Sequence, residues 1–141
     1  MAGLERFVEA QAPVIDQVLA ELEAGRKRTH WMWYVFPQLA GLGHSAMARH
    51  FAIADLDEAR RYLAHPVLGP RLSRCTELVN GHAGLSAHAI FGSPDDLKFR
   101  SSMTLFRAAD PGLDVFQTAL DRFYDGKRDE RTLALLARDE G

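Results

Sequence analysis

The sequence predicts an all-α protein, one domain of about seven to nine short helices running through residues 1–141. Three observations carry that prediction. Apolar residues return at three- and four-residue spacing in most segments. Helix starts (Ser, Asp, Pro) and stops (Gly, Pro) recur at intervals suited to short helices. The one strand-like stretch, Trp31 to Phe36, has no second period-two run to pair with, and a lone strand leaves its backbone groups unmet.

Leu4, Phe7 and Val8, then Val14, Ile15, Val18, Leu19 and Leu22, follow helical spacing, with Pro13 able to open a second helix or kink a single one. Gly25 stops that run. Lys27 to Phe36 is expected to be a further helix ending before Pro37, because a proline pushes the residue before it away from helical angles. Gln38 to Ser45, with Gly41 and Gly43, reads as a loop; Ser45 then caps a short helix through Phe51. Asp55 caps the next helix, which ends at His65-Pro66. Pro66 is placed to open a helix whose Leu68, Leu72, Cys75, Leu78 and Val79 share a stripe, which makes Cys75 a core residue. Gly81 to Gly84 breaks the chain, and Ser86 caps a brief helix to Phe91. Ser93-Pro94-Asp95-Asp96 offers an N-cap, a proline at the first helical position and two acids on the helix dipole. Two amphipathic helices close the chain. One runs from about Asp114 to Tyr124 with Val115, Phe116, Ala119, Leu120 and Phe123 inward, and one from Asp129 through Leu133, Leu135 and Leu136.

With 141 residues, 47% hydrophobic and 26% charged, the chain is long enough to bury a core without metal or disulfide. Its formal charge of −2 argues against a general nucleic-acid binder, although Arg26, Lys27 and Arg28 form a local basic patch. The single cysteine cannot close an intramolecular disulfide, and the start of the chain has no signal-peptide pattern, so the expected location is cytoplasmic. Trp31 to Phe36, the longest apolar run, is far too short to span a bilayer.

Chemistry is densest between Arg26 and Gln38, where both tryptophans of the chain stand beside three cations and a histidine. If this segment is helical, Lys27, His30, Trp31 and Tyr34 share a face. Such a face suits a base or sugar stacked on indole, with an anion held by Lys27 or Arg28 and His30 positioned to move a proton near neutral pH. A core seam with a solvated cationic edge is the plainer alternative. In the second rich segment, Lys98 to Phe106, Lys98, Ser101, Ser102 and Leu105 share one helical face, and Phe99, Met103 and Phe106 another. Two hydroxyls one turn beyond a lysine suit an anion or serine–lysine catalysis. The ordinary alternatives are serines bonded back to a carbonyl and a lysine reaching to solvent.

No H-x-x-x-H or C-x-x-C pair occurs among the six histidines and one cysteine, so neither metal nor cofactor is implied. His82 and His88, six apart across a glycine-bearing loop, read as exposed. Gly41-Leu42-Gly43-His44-Ser45 lacks the strand and lysine of a phosphate loop. Asp55, Asp57 and Glu58, like Asp95 and Asp96, sit where the helix dipole accounts for them.

His30-Trp31-Met32-Trp33 with Phe36-Pro37-Gln38, then Gly41-Leu42-Gly43, Tyr62-Leu63, His65-Pro66, Leu68-Gly69-Pro70-Arg71-Leu72, and Lys98 with Ser101 to Phe106 form an ordered set of motifs. Over about Leu4 to Leu136 the chain thereby resembles the family labelled domain of unknown function 1810, which implies a compact, mostly helical bacterial protein. Members have been labelled calpastatin-like, but nothing here has the character of a disordered calpain inhibitor. The family's two signature blocks coincide with the two chemically rich segments. If the blocks face one another, the expected site has Trp31 or Trp33 as stacking wall and Lys27 and Lys98 as anion holders. His30 is then the catalytic acid or base, and Gln38, Ser101, Ser102 and Thr104 supply hydrogen bonds. The expected partner is a small anionic, nucleotide-like or sugar-phosphate ligand, bound and, if the protein is an enzyme, hydrolysed, with no nucleic acid, membrane or metal. The alternative is a protein-interaction module or homodimer that uses the Trp-rich helix as its interface.

Overall fold

In the computed structural model, which describes residues 3–140 with side chains through Arg138, ten helices follow one another. They are α1 (Glu5–Gln11), α2 (Ile15–Ala24), α3 (Met32–Val35), α4 (Ala46–His50), α5 (Leu56–Ala64), α6 (Leu68–Asn80), α7 (Ala87–Phe91), α8 (Asp95–Ala109), α9 (Asp114–Tyr124) and α10 (Glu130–Glu140). Seven of them have at least seven residues, and the described residues contain no strand.

The expected caps form where short polar side chains were placed. Ser45, Asp55 and Ser86 accept from the amides of Ala48, Glu58 and Ala89, each three residues on. Two starts differ from expectation. Pro94 itself stands at the N-cap of α8, without a side-chain cap, and the carbonyls of Gly92 and Pro94 take the Asp96, Leu97 and Lys98 amides. α6 opens at Leu68, two residues beyond the Pro66 expected to open it, and the His65 ring nitrogen Nδ1 accepts from the Val67 and Leu68 amides just before and at its start.

The larger correction concerns Lys27 to Phe36, which is helical only from Met32 to Val35. Its early amides turn to distant partners. Lys27 N–H donates to the Ile90 carbonyl at 2.7 Å, and the Arg28 and Thr29 amides donate to the Glu21 carboxylate. An amide spent that way cannot build a helix. Lys27, His30, Trp31 and Tyr34 therefore share no helical face.

Helix α8 is the centre, packed by α5, α7, α9 and α10, while α6 lies against α2, α5 and α9. Ser101 through Phe106 are buried without interruption, so the two faces inferred for this helix are both interior. Aromatic rings run through the core: Phe36 meets Phe99 edge-on at 4.9 Å, and Tyr62 joins Phe7 at 5.1 Å and Phe106 at 5.2 Å. Each such pair contributes about 0.5–1.5 kcal/mol beyond the area it buries. No described helix is long and apolar enough to cross a membrane.

The loop between α3 and α5 is closed by one parallel bridge, Leu39 with Ile53. Ala40 N–H donates to the Ile53 carbonyl at 2.8 Å, and Ile53 N–H to the Gln38 carbonyl at 2.9 Å. Arg6 of α1 ties its far end, donating to the His50 and Ala52 carbonyls and pairing with Glu58 at 3.2 Å. Glu58 also accepts from Ala54 N–H, so its carboxylate serves this junction as well as a helix start.

Gly69, buried in the first turn of α6, lies so close to α5 that a Cβ there would stand 2.1 Å from the Leu63 carbonyl oxygen. Backbone meets backbone, and neither can step aside. Gly69→Ala is expected to lower the unfolding free energy by about 3 kcal/mol, the upper end of overpacking costs, read as an earlier urea midpoint at unchanged slope.

Candidate functional site

The site begins at a carboxylate that the sequence did not single out. Glu21, buried on α2, accepts hydrogen bonds from the Gln17 amide (2.9 Å), Arg28 N–H (2.6 Å), Thr29 N–H (3.0 Å), the Thr29 hydroxyl (2.6 Å) and Trp31 Nε1 (3.1 Å). Burial alone would raise its pKa, but the bonds from the Thr29 hydroxyl, Arg28 N–H, Gln17 and Thr29 N–H outweigh it and bring the group from 4.5 down to about 2. Trp31 is thereby fixed in the core, 1% exposed. It is no stacking wall for a ligand entering from solvent.

The same arrangement aims Lys27 at α8. Its ammonium lies 2.8 Å from Oδ2 of Asp95 and 5.2 Å from the centre of the Trp31 ring. On the other side of that carboxylate, Lys98 Nζ stands 3.5 Å from Oδ1 and 5.5 Å from the Trp33 ring. The two rich segments do meet, and Asp95 is where they join. Lys27 is 7% exposed and Lys98 27% exposed, so of the two expected anion holders only Lys98 reaches the surface.

Two clefts open in front of this cluster. The first, of about 250 Å³, has an aromatic and apolar wall from Trp33, Leu39, Ala48 and Phe51, with Arg49 on its lining. The second, of about 290 Å³, is lined by Lys98, Arg100, Ser101, Asp129 and Arg131, with Leu42 and Leu97 at its edge. Gln38 and Gly43 line both. Gly41 adopts a φ of 101°, and a Cβ on Gly43 would fall 2.5 Å from that of Ala48, so this loop needs glycine once for its turn and once for close approach.

Two of the three α8 hydroxyls, Ser101 and Thr104, have structural partners. Ser101 Oγ lies 2.9 Å from Oδ2 of Asp129 and 3.2 Å from the Leu97 carbonyl. Thr104 donates to the Arg100 carbonyl and accepts from Asp129 N–H, both at 2.9 Å. Asp129 in turn accepts from Thr132 N–H and its hydroxyl, capping α10. These residues dock α10 and so hold Arg131 at the cleft. Ser102 is fully buried, lines neither cleft, and its hydroxyl has no partner among the described residues. Arg100 donates to the Lys127 and Arg128 carbonyls, each at 2.9 Å.

His30 is exposed and lines neither cleft. Among the described residues the Gln38 side-chain amide makes no hydrogen bond, and Arg49 and Arg131 have no ion-pair partner. His82, read as exposed, is half-buried, with Nε2 2.8 Å from the Leu22 carbonyl. Sequence reasoning missed Glu21, Arg49, Asp129 and Arg131, and credited Asp95 to the helix dipole alone. Only Asp129 gave a local signal, as an acid three residues before Thr132 at a helix start.

A family model described as "Protein of unknown function (DUF1810)" matches residues 1–136. Among solved structures, the chain is similar to the crystal structure of the conserved hypothetical protein Rv1873 from Mycobacterium tuberculosis. The two are 57% identical, with a TM-score of 0.94 over 95% of this chain and 96% of that one. No curated protein matches the chain.

Because the folded-state pKa of Glu21 lies below its ordinary 4.5, its stabilisation is complete above that value and is lost as pH falls towards about 2. Glu21→Gln is expected to cost on the order of 3 kcal/mol at neutral pH and to flatten the acid limb of a stability–pH curve over that window. An unchanged acid limb in urea midpoints would count against this role.

Proposed function

The chain belongs to the DUF1810 family of proteins of unknown function, and from that premise we propose that it binds a small molecule joining a flat ring to an anionic group, a nucleotide-like or sugar-phosphate compound, in the paired clefts at Gly43. The observation that carries the reading is the Lys98 ammonium held 5.5 Å from the Trp33 ring, with Trp33 facing one cleft and Lys98 the other. A ring laid on Trp33 has a cation beside it. The partly shielded aromatic wall favours stacking, while Lys98, Arg100 and Arg131 outnumber Asp129 around the second cleft and favour a negative group there. Each cleft, at about 250 and 290 Å³, lies just below the size of drug-sized sites, which suits a small ligand.

The reading is one of binding. Hydrolysis would need an acid or base at the cleft; His30, the residue expected in that role, is on neither lining, and the Asp129 carboxylate, which is, already accepts from Ser101 and from Thr132 as the cap of α10. A Trp-rich interface or self-association through the same segment draws less support, because Trp31 is interior and α3 buries Met32 and Val35, leaving no continuous aromatic face.

Calorimetric titration with nucleoside monophosphates and sugar phosphates tests this. Trp33→Ala is expected to weaken binding of a ring-bearing ligand about tenfold, consistent with roughly 1–3 kcal/mol for a stacked base. Lys98→Met should weaken every anionic ligand about fivefold or more at low salt and reduce the dependence on ionic strength. A panel without any binder, or binding indifferent to both changes, would reject the site.

A further inference from the structure

We infer that Lys27, which touches neither cleft, is a positioning residue that leaves Lys98 able to accept an anion by holding Asp95 away from it. The ligand in question rests on the binding reading above, but the charge arrangement does not. Asp95 carries one negative charge between two ammonium groups, and the sharing is unequal. Lys27 makes a contact ion pair with Oδ2 at 2.8 Å and is nearly enclosed, whereas Lys98 stands 3.5 Å from Oδ1, beyond the range of a strong charge-assisted hydrogen bond, and is the more exposed.

The three charges leave one positive charge over, and burial decides where it is presented. Lys27 is fixed from two sides, its backbone by the Ile90 carbonyl and its ammonium by Asp95 beside the Trp31 ring. Lys98 therefore offers the surplus charge to the cleft, over Trp33. Without Lys27, a partly buried Asp95 would have one cation left, and closing the 3.5 Å gap to Lys98 would be its best way to remain ionised. The cleft would then present a neutral pair.

A staple joining residues 26–31 to α8 is the simpler role for Lys27, and the test is chosen to tell the two apart. Trp31 is buried, so Trp33 supplies the tryptophan fluorescence that a quencher in water reaches. The ratio of quenching by iodide, an anion, to quenching by neutral acrylamide reads the local charge at Trp33 without a ligand. Lys27→Met keeps most of the apolar stem, and its ratio is expected to fall at least twofold; in Asp95→Asn it should rise. In the double variant, removing Lys27 should change the ratio by less than half as much, because there is no carboxylate left to release. Lys27→Arg should restore the wild-type ratio.

Equal effects of Lys27→Met with and without Asp95 would mean a through-space loss of charge and overturn the inference, as would an unchanged ratio in a folded Lys27→Met protein. If Lys27→Met does not fold, Lys27→Gln replaces it in the same comparison with and without Asp95→Asn: a smaller effect without the carboxylate supports the inference, and equal effects end it. Affinity for inorganic phosphate and a nucleoside monophosphate, measured on the same variants, separates the two claims. Quenching that follows the pattern while neither compound binds leaves the charge relay standing and the binding function rejected. Binding with additive effects does the reverse.

Discussion

One buried carboxylate determines how the first third of the chain is laid down. Glu21 accepts five hydrogen bonds, two of them from consecutive amides that a helix would otherwise have claimed. An ionised group buried there would be costly alone, and the donors offset that cost. Everything in front of it follows from this capture. The chain from Gly25 to Trp31 runs unwound, Trp31 turns inward to reach the same carboxylate, and Lys27 is delivered to α8. The single turn of α3 then presents Trp33 on the opposite side. A tryptophan pair that reads in sequence as one aromatic surface is divided into a core residue and a cleft residue.

That division explains what the sequence could and could not convey. Helical periodicity and short polar caps are local properties, so the helix class, the Ser45, Asp55 and Ser86 starts, the bounds of α9 and the burial of Cys75 were all readable along the chain. The failure at Lys27 to Phe36 came from a side chain on another helix competing for backbone amides, which no periodicity records. The same holds at α8. Ser101 and Thr104 were read as ligand groups because their true partner, Asp129, lies 25 to 28 residues away. That two segments carried unusual chemistry was legible, and so was the chance that they meet. Which member of each pair faces outward was not, because exposure is settled by packing. Arg49 and Arg131 could not be told from other surface cations until α4 and α10 were set beside the glycine loop.

The site is built in two layers. Trp33, Gln38, Lys98 and Arg131 stand at the clefts, while Trp31, Lys27, Asp95, Ser101, Thr104 and Asp129 fix where they stand. The supporting layer is the more tightly bonded of the two, as expected where outward groups are held by neighbours with no freedom of their own. Arg131 depends on α10, and α10 starts on hydroxyls contributed by the central helix. A change in the interior of α8 is therefore felt at the rim without any rim residue being touched.

The bridge between Leu39 and Ile53 draws the ends of the intervening segment together into a ring, whose Phe51 is seated in the core against Phe7 and Tyr34. Arg6 secures its far end from beneath. Between residues 40 and 50, where no side chain of the ring is buried, added residues cost little in closure entropy and leave the core contacts of Phe51 in place. The glycine turn, Arg49 and α4 all lie inside that stretch. Editing it would remodel one wall of the clefts and leave the other wall intact, which makes it the natural place for the shape of the clefts to change on an unchanged scaffold.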